Sequence, residues 1–202
     1  MTSRESELWD AQAATFDDEP DHGLHDPLVR DAWLSLLRSL LPPAPGRVAD
    51  LGCGTGTLSL LLAAEGYAVD GVDFSPEMVR RAISKVGSFP AMTFVVGDAG
   101  DPPLTEGAYD VVLCRHVLWA LPEPAVAMAR WVRLLAAGGR LVLVEGSWST
   151  GAGLTSAETV ALVEGAGLTT HLRALDDPAY WGGPITDERY AVVGRIPGNS
   201  LA

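Results

Sequence analysis

The sequence predicts an α/β domain built on a doubly wound, mainly parallel sheet, and three observations carry that prediction. From Arg47 onward, short β-branched runs alternate with longer helical stretches, the pattern of strands joined by crossover helices. The first of these strands runs directly into three alternating glycines and then a helix. The chain has 202 residues, 48% of them apolar, which suits one packed domain and leaves no room for a second catalytic one.

The elements follow in order. Two helices lead, Glu5 to Phe16 and Asp26 to Leu40, the second stopped by Pro42, Pro43 and Pro45, which cannot continue a helix. Residues 1–45 are therefore read as a helical cap on a core of residues 46–202. Strands are expected at Arg47–Leu51, Ala68–Asp73, Met92–Val96, Asp110–Cys114, Arg140–Glu145, Leu168–Ala174 and Tyr190–Arg195. Between them lie helices at about Gly56–Glu65, Pro76–Val86, Pro124–Leu135 and Ser156–Glu164; Ser75 before Pro76 is an N-cap and first-turn pair. Asp21–His25 reads as a loop, and Asp176–Asp187, with Tyr180, Trp181, Gly182, Gly183 and Pro184, as an irregular segment that could form a pocket wall.

A formal net charge of -12 opposes binding to a phosphate backbone, which recruits Lys and Arg, so a nucleic-acid substrate is disfavoured. The acidic residues crowded near the start read as a solvated helix face. Two cysteines, Cys53 and Cys114, give neither a disulfide framework nor a metal site. No apolar run is long enough to span a bilayer and the first residues show no secretion signal, so no membrane association and a cytoplasmic location are expected.

The strongest local feature is Val48-Ala49-Asp50-Leu51-Gly52-Cys53-Gly54-Thr55-Gly56-Thr57. Glycines at such a turn permit positive φ and close approach of a ligand to backbone N–H groups, and the helix start that follows offers unpaired donors. Dinucleotide-binding proteins use a similar turn, but their last glycine would fall on Thr57 counting from Gly52, or on Ser59 counting from Gly54, and neither register fits. Asp50, just before the glycines, suits an ammonium group better than a pyrophosphate. Asp73, closing the second strand, is placed to accept hydrogen bonds from a ribose diol.

With these motifs in order, residues 47–145 closely resemble the class I S-adenosylmethionine (SAM)-dependent methyltransferases of small-molecule type. The resemblance implies a Rossmann-like, mostly parallel seven-stranded sheet with a reversed last strand and SAM as cofactor. By that likeness Asp50, Gly52, Cys53, Gly54 and Gly56 would surround the methionine portion, Asp73 would take the ribose hydroxyls, and Phe74 and Met78 the adenine face. Asp98 and Ala99, within Gly97-Asp98-Ala99, would sit at the adenine edge, and Arg115, ending the fourth-strand motif Tyr109-Asp110-Val111-Val112-Leu113-Cys114-Arg115, would face the methyl donor. Trp9-Asp10 and Phe16-Asp17 resemble the W-D and F-D pair of an N-terminal helical lid, which would fold Trp9 and Phe16 over the cofactor.

Methyl transfer is an in-line displacement, so alignment and exclusion of water carry most of it, and a general base helps only where the nucleophile must lose a proton. His116, on the turn after the fourth strand, is the candidate base; a histidine packed under the lid is the bland alternative. His22 would reach the pocket with the lid closed, whereas His171 reads as surface strand. Trp119, Trp148 and Trp181, with Tyr180, could line an aromatic pocket for a flat or cationic substrate, although packing explains each of them singly. No metal-ligand pattern follows the fourth strand. The functional expectation is methyl transfer to an O, N, S or C atom of a small molecule, with a homodimer compatible. The alternatives are a SAM-binding protein without turnover and an NAD(P)-dependent oxidoreductase.

Overall fold

The computed structural model describes residues 3–87, 89 and 91–198. Seven strands form one sheet: β1 (Arg47–Leu51), β2 (Ala68–Asp73), β3 (Met92–Val96), β4 (Tyr109–Arg115), β5 (Leu135–Ser147), β6 (Thr169–Ala174) and β7 (Glu188–Arg195). Their order is β3-β2-β1-β4-β5-β7-β6, parallel except for β7, which runs antiparallel to both neighbours. The chain thus has the doubly wound, mostly parallel sheet with a reversed last strand.

The inner strands are apolar on both faces because both are covered. Val48, Val111, Leu113, Val142, Val144, Ala191 and Val193 join a core with α3 (Pro27–Leu40) and α4 (Thr57–Ala64). The alternate residues Ala49, Leu51, Val112, Cys114, Leu141, Leu143 and Val192 join a second core with α6 (Pro124–Leu134) and α7 (Ser156–Gly165). The period of two along each strand distributes its side chains between the two layers.

Helix starts follow the sequence closely. Asp26 caps α3 by accepting from Leu28 N at 2.8 Å, Ser75 caps α5 (Pro76–Val86) by accepting from Met78 N at 3.1 Å, and Thr155 with Glu158 forms a reciprocal capping box on α7. Helix α5 turns Met78, Val79, Ala82 and Val86 inward. Among the described residues, no helix is long and apolar enough to cross a membrane.

Several strand ends shift by one or two residues, β7 for example starting at Glu188 rather than Tyr190, and three differences are larger. The first helix, α1, spans Ser3–Gln12 rather than continuing to Phe16; Phe16–Asp18 forms a separate 3-10 turn, because Asp17 is drawn to Thr55 and Lys85 on the body of the domain. The expected loop at Asp21–His25 holds a short helix, α2 (Pro20–Gly23), started by Pro20 at its first position. Strand β5 begins at Leu135, where α6 stops one residue early, and its pairing to β4 is offset by an irregularity between Tyr109 and Val111.

Candidate active site

The carboxyl ends of the parallel strands open into one cavity of about 910 Å³. At its floor, β1 ends at Leu51 and the chain turns through Gly52 (φ +74°) and Gly54 (φ +54°) before Gly56 (φ +76°) starts α4. The turn is fitted to glycine: a Cβ on Gly52 would stand 2.3 Å from Val117 Cγ2, and one on Gly54 would stand 3.3 Å from the Phe16 ring. Asp50 is buried, with Oδ2 accepting from the Ser59 hydroxyl at 2.6 Å, and desolvation pushes its carboxyl up to about 6. Asp73 fastens the same turn, since Oδ2 accepts from Gly54 N at 2.8 Å and Oδ1 from Ser75 N at 2.9 Å. Its pKa is raised by burial against those two hydrogen bonds.

The N-terminal segment roofs this floor and is tied down by three carboxylates. Asp10 accepts from Ser75 Oγ and from Glu77 N at 3.2 Å, at the N-terminus of α5. Asp17 accepts from Thr55 Oγ1 at 2.5 Å and pairs with Lys85 Nζ at 2.8 Å. Asp21 receives both terminal nitrogens of Arg115, one on its backbone oxygen at 2.7 Å and one on its carboxylate. Trp9 and Phe16 meet edge to face at 6.2 Å, and His22 stacks on Phe16 at 4.2 Å.

The far end of the cavity is cationic and aromatic. Arg115 lies over the Trp33 ring at 4.3 Å. His116 has a left-handed backbone (φ +56°), uncommon for a side-chain-bearing residue. Its ring meets Trp148 edge-on at 5.1 Å and stacks on Trp181 at 6.0 Å. Burial, and then Arg115, Arg189 and His22, push its pKa well down, so the imidazole is neutral at physiological pH. Below this turn Glu145 is fully buried; Oε1 accepts from Val117 N at 3.1 Å and Leu118 N at 2.9 Å, Oε2 finds no partner, and desolvation raises the carboxyl to about 8.

Of the residues singled out in the sequence, Trp9, Phe16, His22, Asp50, Gly52, Cys53, Gly54, Asp73, Phe74, Met78, Ala99, Arg115, His116, Trp119, Trp148 and Trp181 all line this cavity. Gly56 and Asp98 do not. Gly56 is packed behind the turn, where a Cβ would touch Ala82 at 3.0 Å, and Asp98 turns Oδ1 back onto Gly100 N at 2.7 Å. Tyr180 also lies outside, its backbone oxygen accepting from the Trp33 indole at 2.7 Å. His171 stands exposed on β6. Asp21, Arg189 and Glu145 were not singled out, and the first two line the cavity. Asp21, His22 and His116 hold ligand-capable atoms within 4.8 Å of one another, but the Arg115 guanidinium already neutralises the Asp21 carboxylate where a metal ion would have to sit.

A family model described as a methyltransferase domain matches residues 49–143. The chain is 36% identical over 108 residues to the demethylmenaquinone methyltransferase of Clavibacter sepedonicus, covering 54% of this chain and 44% of that protein. It is 32% identical over 137 residues to the ubiquinone biosynthesis O-methyltransferase of Xanthomonas axonopodis pv. citri, covering 67% of this chain and 54% of that protein. The chain spans between 36% and 54% of the length of such curated relatives. Its structure superposes on that of a TehB-like SAM-dependent methyltransferase from Corynebacterium glutamicum with a TM-score of 0.63 and 26% identity, covering 80% of this chain and 85% of that one. Glycine turn, strand-end carboxylates, sheet order and these likenesses agree: residues 49–143 form a methyltransferase domain, and the chain is similar to the SAM-dependent methyltransferases.

Proposed function

We propose that this chain transfers a methyl group from SAM to an O, N, S or C atom of a small-molecule metabolite. The observation that carries the reading is the continuity of one cavity, from Asp50 and Asp73 at the glycine turn to His116 and the tryptophans at the far end. The near end fits the cofactor. A neighbouring ammonium would return the desolvated Asp50 carboxyl to its charged form. Asp73 accepts backbone amides on both oxygens, and the lone pairs left on the carboxylate would take a ribose hydroxyl. Phe74, Met78 and Ala99 would hold the adenine.

When bound, SAM supplies an electrophilic methyl group on a sulfonium. The chain's own work is to align the acceptor and to exclude water, the latter through the roof held by Asp10, Asp17 and Asp21. His116 is the candidate for handling the acceptor's proton: Nε2 is buried in the wall without a partner, and the neutral ring can accept a hydrogen bond from an acceptor hydroxyl. Its imidazolium would stand beside Arg115 and Arg189, so the ring orients that proton better than it removes it.

Calorimetric titration with SAM, S-adenosylhomocysteine (SAH) and NADH tests the cofactor, and SAH formation over a panel of small acceptors tests turnover. Saturable binding of SAM and SAH, with none of NADH, is expected. NADH binding in their place would return the glycine turn to a dinucleotide, and SAM binding without SAH formation across the panel would leave a binding protein without turnover.

A further inference from the structure

We infer that the acceptor carries an anionic group, carboxylate or phosphate, on an apolar body, and that Arg189 receives that group; the inference rests on the reading above for calling this ligand the methyl acceptor. The charges that the strands themselves bring to the cavity are sorted along the sheet, while Asp21 of the roof pairs with Arg115. In the strand order β2-β1-β4-β5-β7, the carboxylates Asp73 and Asp50 stand at the first two strands, and the guanidiniums Arg115 and Arg189 at the third and fifth. The acidic half suits an ammonium and a diol, which leaves the cationic half for the second ligand.

In that half, three buried nitrogens lack a hydrogen-bond partner: Nε of Arg115, Nε of Arg189 and Nε2 of His116. Buried donors without partners are uncommon, and a wall that gathers two of them with a neutral imidazole is built for a ligand with acceptor oxygens. Arg115 is mostly committed, with both terminal nitrogens on Asp21. Arg189 is not. Its hydrogen bond to Asp187 Oδ2 is long, 3.4 Å, and the other oxygen of that carboxylate accepts from Ser149 N at 2.8 Å. The planar guanidinium is 5.0 Å from the centroids of both Trp148 and Trp181, which fix its orientation. Those ring faces are thereby taken. A cationic substrate, one of the two kinds the aromatic residues would suit on sequence alone, would find an arginine where it needs an aromatic face.

The backbone is shaped for this arginine. Gly146 of β5 lies opposite Arg189 in the register, and a Cβ there would fall 2.7 Å from both Arg189 Cδ and the Glu188 backbone oxygen, so glycine lets the stem cross β5 while β7 packs close. The antiparallel direction of β7 brings its second residue, Arg189, to the same sheet edge as the ends of β4 and β5.

The test is calorimetric titration of the SAH-saturated protein with 2-naphthoate, 2-naphthyl phosphate and 2-naphthamide, which share one flat body, in the native protein and in Arg189→Met and Arg189→Lys. At least one anion should bind tenfold or more tightly than the amide, and the better of the two identifies the group. Arg189→Met should abolish the preference, and Arg189→Lys, which keeps the charge without the planar fork, should retain part of it and keeps the test open if the Met variant does not fold. Equal affinity for the amide, no binding by either anion, or a preference undiminished in Arg189→Met or in Arg189→Lys overturns the inference. Repeating the titrations without SAH separates the two readings: anion preference without SAH binding would sink the cofactor, and SAH binding without anion preference would sink the acceptor class.

Discussion

Replacing Glu145 by glutamine isolates the one buried carboxyl that the structure holds largely protonated beneath the His116 turn. Burial raises it from 4.5 to about 8, so the folded chain binds this proton more tightly than the unfolded chain does. Stability from this group is therefore full below the ordinary glutamate range and is lost as pH climbs toward 8. At about 1.4 kcal/mol per pH unit, the loss accumulates to roughly 3 to 6 kcal/mol. Glutamine keeps an oxygen for the Val117 and Leu118 amides, which lie 3.1 and 2.9 Å away, and does not titrate. Glu145→Gln should thus match the native protein within about 1 kcal/mol near pH 5. It should gain on it by about 1.4 kcal/mol per pH unit up to pH 8 and hold that gain beyond. Urea unfolding at several pH values, read as midpoints at constant slope, measures the difference directly. A difference that stays constant across this range would refute the claim that a buried ionisation limits stability here.

Four further outcomes can be checked with the same material. Asp73→Ala removes the acceptor for Gly54 N and Ser75 N together with the proposed diol contact, and calorimetry should show SAH binding weakened by about ten- to a hundredfold. Gly52→Ala forces a Cβ to 2.3 Å from Val117 at a positive φ, so thermal unfolding should show a loss of about 1 to 3 kcal/mol. Once a substrate is in hand, His116→Ala should lower turnover about tenfold or more while leaving SAH affinity nearly unchanged, and the native rate should show no histidine inflection above the ordinary value, because burial keeps that ring neutral there. Asp17→Asn loosens a partly exposed ion pair worth at most about 1 kcal/mol, so SAH affinity should fall only a few-fold and lose part of its salt dependence.

The cofactor end of the cavity was legible because its signals are local: a strand, its end carboxylate Asp50 and glycines needing positive φ lie within a few residues of one another, and Asp73 closes the next strand. The roof was legible only in outline. Trp9 and Phe16 could be placed over the turn, but the break after Gln12 depends on Asp17 meeting Lys85, a contact between distant segments that no periodicity encodes. The turn at Asp98 was not legible either, because a local hydrogen bond from Gly100 N engages one of its oxygens. Arg189 escaped notice although its signal was available: a reversed final strand delivers its beginning, not its end, to the functional edge. Glu145 also left a trace, a lone acid closing the apolar run Leu141-Val142-Leu143-Val144.

The place of β7 sets an order on the birth of the molecule. This strand is the last of the seven in the chain, yet it lies inside the sheet between β5 and β6. A nascent chain leaving the ribosome carries β5 with an open edge and β6 with no strand to join until Arg195 has been made. Chaperone demand and exposure to proteases should therefore peak between the making of β5 and that of β7, and a product cut short of β7 would present that bare edge to its neighbours.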